Sequence, residues 1–343
     1  MVPRRVRWPT SRPPPTPPEA AVASPAVAML EDPPFDLLCP GRRPTGLAPV
    51  LLPVLPDGEP DWDGFAHLLG RIVDAGLVPF LNGGPGFADV IGPSTRAEVV
   101  ATAGAALGGH TFVVGVRPEP GDDGGFDPSR LAGQVDALAR HHAIAALLPS
   151  PATAGLGPDE AVGLAAWVGE WCDRLVVVDL PPQRWAGGRS LGLDAFTALM
   201  DVPQCIGVVD GSWNRQAEWD RIRRRDDLRP DFHLFSANAL AVDQIMFGAD
   251  HAHDLAAAVP DALADRDEAW GREDPGALER QDALQALATL VFRPPYDAAR
   301  HSLVRVLALR GWLAHDGIPA GQARRPDGED DLLLPALDRL GLI

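Results

Sequence analysis

Lysine is absent from this chain: all 30 basic side chains are arginines. A guanidinium stays protonated and cannot condense with a carbonyl, so chemistry that runs through a lysine imine is excluded. Cysteine is scarce as well. Cys39, Cys172 and Cys205 form an odd set with no CxxC spacing. They exclude a disulfide framework and a zinc knuckle, and they fit reduced thiols in a cytoplasmic protein. Positive charge is short overall. The net charge of −17 leaves no basic footprint for nucleic acid. No apolar run reaches the roughly 18 residues of a membrane span, so no membrane association is expected.

What is present is a change of material near residue 44. Before it lie Arg12-Pro-Pro-Pro-Thr-Pro-Pro18 and Pro33-Pro34. These read as a disordered or polyproline-like tail over residues 1–44, because proline cannot sit inside a helix or sheet. Arg4-Arg5-Val6-Arg7 looks like the start of an export signal, but Pro9 and Pro13 to Pro15 interrupt the apolar stretch such a signal needs, and export is not expected. Met29 is an alternative start of translation.

From Leu47 a regular alternation begins. Apolar stretches of strand length, such as Leu77–Leu81, Thr111–Val116 and Leu175–Asp179, alternate with amphipathic stretches such as Trp62–Ala75. Continuous apolar strands between amphipathic helices predict a parallel sheet buried on both faces. Eight such units in about 210 residues predict an α/β fold, a closed (β/α)8 TIM barrel over 45–262. Helical stretches at Gly276–Phe292, Ala298–Ala314 and Leu332–Leu340 predict a C-terminal helical extension over 263–343. Active centres of such barrels lie at the C-terminal ends of the strands. That directs attention to Gly83–Phe87, Arg117, Pro149–Pro151, Asp179, Val209–Ser212, Ser236–Asn238 and His251–Asp254.

The order of these segments resembles the dihydrodipicolinate synthase and N-acetylneuraminate lyase family. The resemblance runs from Pro44 to Ile343. Asn82-Gly-Gly-Pro-Gly-Phe-Ala88 sits where the family has Gly-Thr-Thr-Gly-Glu, and Leu148-Pro-Ser-Pro151 where it has Thr-Pro-Tyr-Tyr. Asp179-Leu-Pro181 is similar to Tyr-Asn-x-Pro, and Gly207-Val-Val-Asp-Gly-Ser212 to Gly-Ile-Lys-Asp-Ser-Ser. The resemblance implies a barrel with a three-helix extension, a homo-oligomer of the tetrameric kind, and a 2-oxo acid or sugar acid as ligand. It also makes the departures explicit. The Schiff-base lysine position is Val209 and the proton-relay tyrosine position is Pro151. The carboxylate-holding threonines fall at Gly84 and Pro85. The carboxylate-binding arginine falls at Gln183, with Arg184 beside it. The family's imine chemistry therefore cannot run here.

Other groups are candidates for chemistry. Asp250-His-Ala-His-Asp254 is the densest polar cluster. In a strand, His251 and His253 would share a face. Turned inward they could hold a divalent metal with Asp179 or Asp210; otherwise they are barrel lining, or Asp254 caps a turn. Asp210 is either a general base or a turn and cap residue. Arg117 and Arg184 are candidate carboxylate forks, or ordinary ion-pair residues. Gly83–Gly86 is a tight loop without a phosphate-loop lysine. Arg221-Ile-Arg-Arg-Arg225 reads as a solvated face or subunit contact. Two functions are compatible with these residues. One is a non-catalytic ligand-binding or regulatory protein without cofactor, with its mouth plugged by Val209, Pro151 and Phe87. The other is a lysine-independent lyase or aldolase, metal-assisted through catalytic His253 and Asp210.

Overall fold

The computed structural model describes residues 34–121 and 125–343. Residues 1–33 of the expected tail lie outside this range. The tail boundary itself moves: residues 34–44 are packed on the barrel rather than free. A short 3₁₀ turn forms at Phe35–Leu37. The Cys39 amide donates to the Met246 carbonyl, and Arg42 reaches Asp250 at 2.8 Å.

Eight strands succeed one another in chain order. They are β1 (Leu47–Pro49), β2 (Val78–Leu81), β3 (Val113–Val116), β4 (Ile144–Leu147), β5 (Leu175–Asp179), β6 (Cys205–Asp210), β7 (His233–Ser236) and β8 (Asp250–His251). Each pairs in parallel with the next. A parallel bridge from Gly46 to His251 joins the last to the first, so the sheet closes. The predicted (β/α)8 TIM barrel is therefore present.

The helices α1 (Trp62–Asp74), α2 (Pro93–Ala106), α3 (Pro128–Ala139), α4 (Pro158–Gly169), α5 (Leu193–Met200) and α6 (Arg215–Leu228) form the outer layer. Their starts are legible in the chain. Asp61 accepts from the Gly64 amide at the head of α1, and Asn214 from the Ala217 amide at the head of α6. In α1 the stripe Phe65, Leu68, Leu69 and Ile72 is buried, as its helical spacing requires. A 3₁₀ segment, Val242–Phe247, rather than an α-helix, links β7 to β8. The helix α7 (Pro260–Gly271) crosses the expected domain boundary at 262/263 and packs on α1, completing the outer ring. The extension proper is α8 (Gly276–Val291), α9 (Ala299–Leu309) and α10 (Glu329–Arg339).

Register decides which side chains face the lumen. One row runs Val178, Val209, Phe235, Asp250 across β5 to β8; the next runs Asp179, Asp210, Ser236, His251. Val178, Val209 and Phe235 belong to the inner apolar cluster with Phe80, Leu148, Ala237 and Ala252. Successive strand residues point to opposite faces, so the second row must face the helices. A register shift against Leu175/Val176 of β5 leaves Ile206 of β6 as the extra residue and sets this phase for the C-terminal half of β6.

Candidate functional site

The C-terminal mouth of the barrel holds a cavity of about 580 Å³. Its floor is apolar: Phe80, Leu148, Val178, Val209, Ala237 and Ala252. Its walls are polar and come from four places. Gly83, Gly84 and Pro85 follow β2, and Arg184 and Trp185 follow β5. Asp254 follows β8, and Tyr296 and Arg300 come from the C-terminal extension.

The loop after β5 is fixed by close backbone approach. Gly187 has φ +78, and a Cβ there would lie 2.0 Å from the Ser150 carbonyl carbon. Only glycine fits that contact. The Trp185 indole N–H donates to the Pro149 carbonyl at 2.9 Å. Between these anchors Arg184 is held in one pose. It donates to the Gly211 carbonyl at 3.1 Å and to the Tyr296 hydroxyl at 2.6 Å. Its guanidinium lies 4.2 Å from the Trp213 ring centre and 5.2 Å from that of Tyr296. Both contacts favour the cation. Its Nε is buried and has no partner.

Tyr296 is the chain's single tyrosine. Burial pushes its pKa up to about 12, with Asp254 adding to the rise and Arg184 opposing it. It therefore stays a neutral hydroxyl at ordinary pH. Arg300 is neutralised by Asp89 at 2.8 Å and donates to Gln322 at 3.2 Å. Phe87, expected to plug the mouth, is fully buried beneath the Arg300 guanidinium. Burial raises the Asp254 pKa, against the pull of Arg184 and Arg300.

The residues singled out in the sequence separate into two sets. Gly83, Gly84, Pro85, Gln183, Arg184, Val209 and Asp254 do line the cavity. Arg117, Pro151, Asp179, Asp210, His251 and His253 do not. Arg117 lies by α2 and α3, with its amide bonded to Gln134 and its guanidinium near the Ala88 carbonyl. Pro151 opens an exposed 3₁₀ turn (Pro151–Thr153) and does not plug the mouth.

Asp210 cannot serve the lumen as a base. It points outward, accepting from the Ser212 amide at 2.8 Å and from Arg221 at 2.5 Å. Arg221 also grips Asp179 at 2.7 Å and the Leu191 carbonyl. All three side chains are buried. Burial works against the Arg221 charge, but the two carboxylates outweigh it and raise its pKa. Burial also raises Asp179, to about 6, despite Arg221. The basic run on α6 is thus no solvated face: Arg221 and Arg225 are interior, the latter donating to the Gly248 carbonyl at 3.0 Å. Arginine suits this role because its fork binds two acids at once.

His251 and His253 do share a face, with rings stacked 5.6 Å apart. It is the outer face. His251 bonds Asp267 of α7 at 2.8 Å, and both ring nitrogens of His253 are buried and unpaired. Asp179, tied to Arg221, is not part of this pair. Among the described residues no three His, Cys, Asp or Glu side chains converge as metal ligands. His253 and Asp210 also leave the catalytic set, because neither reaches the cavity.

Sequence reasoning missed Asp254 as a pocket group, and it missed Tyr296 and Arg300 altogether. The alternation from His251 placed Asp254 within the polar cluster, but only the path of the chain turns it into the cavity. Tyr296 had one signal, its uniqueness in the composition.

No family model matches the chain, and no curated protein matches it significantly. Solved structures do. A monomeric dihydrodipicolinate synthase variant aligns with 15% identity over 88% of this chain and 98% of its own, at a TM-score of 0.75. The Thermotoga maritima dihydrodipicolinate synthase aligns with 15% identity over 88% and 99%, at 0.74. YagE from E. coli K12, a prophage protein of the dihydrodipicolinic acid synthase family solved with pyruvate, aligns with 15% identity over 88% and 99%, at 0.75.

This chain has the dihydrodipicolinate synthase fold. Within that fold the inner residue near the end of β6 is Val209, and the sequence has no lysine to place in the cavity. No helix among the described residues is long and apolar enough to cross a membrane.

Proposed function

We propose that the chain is a divergent member of the dihydrodipicolinate synthase and N-acetylneuraminate lyase family. Its mouth cavity binds a small carboxylated ligand without covalent attachment. On this reading it is a ligand-binding or regulatory protein that needs no cofactor. The observation that carries the reading is Val209 on the cavity floor in a chain without lysine. An imine requires an amine within bonding reach of the carbonyl, and among the described residues no lysine is there to supply one. The anchored Arg184, beside the position where the resemblance puts a carboxylate-binding arginine, supports an anionic ligand. Cavities of roughly 300–1,000 Å³ are the usual size for small-molecule sites. A 2-oxo acid or sugar acid is the ligand class that the resemblance brings.

The test is reductive trapping. The protein is mixed with pyruvate and borohydride, and intact mass is measured. No adduct is expected, while calorimetry detects weak carboxylate binding that Arg184→Gln removes. A mass increase equal to a reduced pyruvate adduct would sink the non-covalent reading. A homo-oligomer, expected from the resemblance, is checked by light scattering on the same sample.

The metal-assisted alternative loses its support. The histidines and acids it needs lie on the outer face of the barrel, away from the cavity.

A further inference from the structure

Arg184 and Asp254 are opposite charges that line one cavity and do not meet. Arg184 donates only to neutral acceptors, a carbonyl and a phenol. No carboxylate lies within ion-pair distance of it among the described residues, and its Nε remains free. Asp254 is the converse. No donor among the described residues reaches its carboxylate; it only feels Arg184 and Arg300 at longer range. The other cation on the wall, Arg300, is already matched by Asp89. A further acid of the lining, Asp297, is exposed to solvent; away from it the cavity presents one unmatched cation, Arg184, and one unmatched anion, Asp254. Gly84 flanks Asp254 on this wall: a Cβ there would lie 3.9 Å from Oδ2, an ordinary contact.

We propose that the cavity is built for a zwitterion, a 2-amino acid whose carboxylate meets Arg184 and whose ammonium meets Asp254. This rests on the reading of the cavity as a carboxylate site and narrows it. The physical reason is complementarity. A monoanion such as a 2-oxo acid satisfies Arg184 but brings a second negative charge near Asp254, and like charges at close quarters are what discriminate against a wrong partner. A zwitterion leaves neither half-buried charge unmatched. The neutral Tyr296 hydroxyl, already accepting from Arg184, keeps its proton free to donate to the same carboxylate.

The test is calorimetry on the full chain near pH 7.5 with matched pairs: alanine and pyruvate, glutamate and 2-oxoglutarate, leucine and 4-methyl-2-oxopentanoate. In at least one pair the amino acid is expected to bind tighter by about ten-fold or more, a readily resolved difference. Asp254→Asn abolishes that preference while leaving the 2-oxo acid affinity unchanged or improved, and Arg184→Gln weakens both members. Three results overturn the proposal. If the 2-oxo acid binds as tightly or tighter in every pair, the zwitterion is wrong while the carboxylate site stands. If the preference survives Asp254→Asn, the ammonium is not read by Asp254. If no member of any pair binds, the zwitterion and the carboxylate site fall together. The preference of the unaltered protein is independent of how either variant folds.

Discussion

The two faces of β5 to β8 differ in kind. The inner row offers Val178, Val209 and Phe235 and ends in Asp250, which Arg42 and His233 hold, with Ala237 and Ala252 just beyond; the outer row offers Asp179, Asp210, Ser236 and His251, with His253 beyond. Barrel enzymes usually present their chemistry at the mouth. Here the strand-end polar groups are turned the other way and hold helices. Arg221 of α6 bridges two strands, Glu218 of α6 takes Ser236 and Asn238, and Asp267 of α7 takes His251. The polar density at strand ends is thus evidence of how the helical layer is attached. The cavity's own charges come from segments beyond the strands.

The largest effect that would break this comparison is expected from Arg221→Leu. It leaves Asp179 and Asp210 buried without a counter-charge, a loss of about 3–5 kcal/mol for such pairs. Urea unfolding measures it. Combining Arg221→Leu with Asp179→Asn and Asp210→Asn should restore much of the loss. If the single change costs less than about 1 kcal/mol, the outer row is not what secures α6.

Glu218 gives the next test. Its carboxylate takes hydrogen bonds from Ser236 at 2.7 Å, Asn238 at 2.9 Å and Gln244 at 2.9 Å. Burial pushes its pKa up to about 8, with Asp210 adding to the rise. A raised acid stabilises the fold below its unfolded pKa and loses that contribution as pH rises through the folded value. Glu218 therefore makes stability fall between about pH 4.5 and 8, by up to about 1.4 kcal/mol per unit. Gln244 Oε1 is buried and unpaired; with that amide turned over it would accept the neutral acid's proton. Glu218→Gln should cost about 1–3 kcal/mol near pH 5, and less near pH 9. Parallel pH profiles for the variant and the unaltered protein would contradict the assignment.

Val209→Lys sharpens the inner side. Its ammonium can reach the cavity, so the expected cost is no more than about 1–3 kcal/mol, within the range of ordinary substitutions. It should gain what the native floor lacks, a borohydride-trappable adduct with pyruvate. Absence of the adduct in a folded variant would mean that the inner row alone does not explain the missing imine chemistry.

His253→Leu should have the smallest effect at neutral pH, within about 1.5 kcal/mol either way, because the ring makes no hydrogen bond and the two side chains are similar in size. Its signature lies in acid. Burial holds the His253 pKa well below its usual 6.5, with His251 and Arg266 acting in the same direction. Below about pH 6.5 the unfolded chain takes up a proton that the folded one refuses, so stability falls as pH drops. The leucine variant should lose that acid-side slope. An unchanged slope would mean that His253 finds a partner for its proton.

Much of the architecture was legible. β5 matches its expected span residue for residue, because an apolar run of strand length leaves few alternatives. The eighth unit was less so. Its short strand and 3₁₀ connection carry little periodicity, and His-x-His could be read equally as lining, ligand or turn. Period two placed both histidines on one face correctly. It could not say which face, since a shift of one residue reverses every assignment. The basic run on α6 misled for a related reason. Composition marks Arg221 as a surface residue, and only its contact with two strand ends makes it interior.

The sequence by itself determined the alternating α/β architecture and the absence of an imine-forming amine, because both depend on the order and kind of residues alone. Tertiary structure decided the rest. The register shift between β5 and β6 and closure through Gly46 and His251 fix which residue of each strand faces the lumen. The paths of the loop after β5, the turn after β8 and the extension bring Arg184, Asp254 and Tyr296 to one cavity from positions 42 to 112 residues apart. No local pattern encodes that meeting, because it depends on how distant segments pack around a closed sheet.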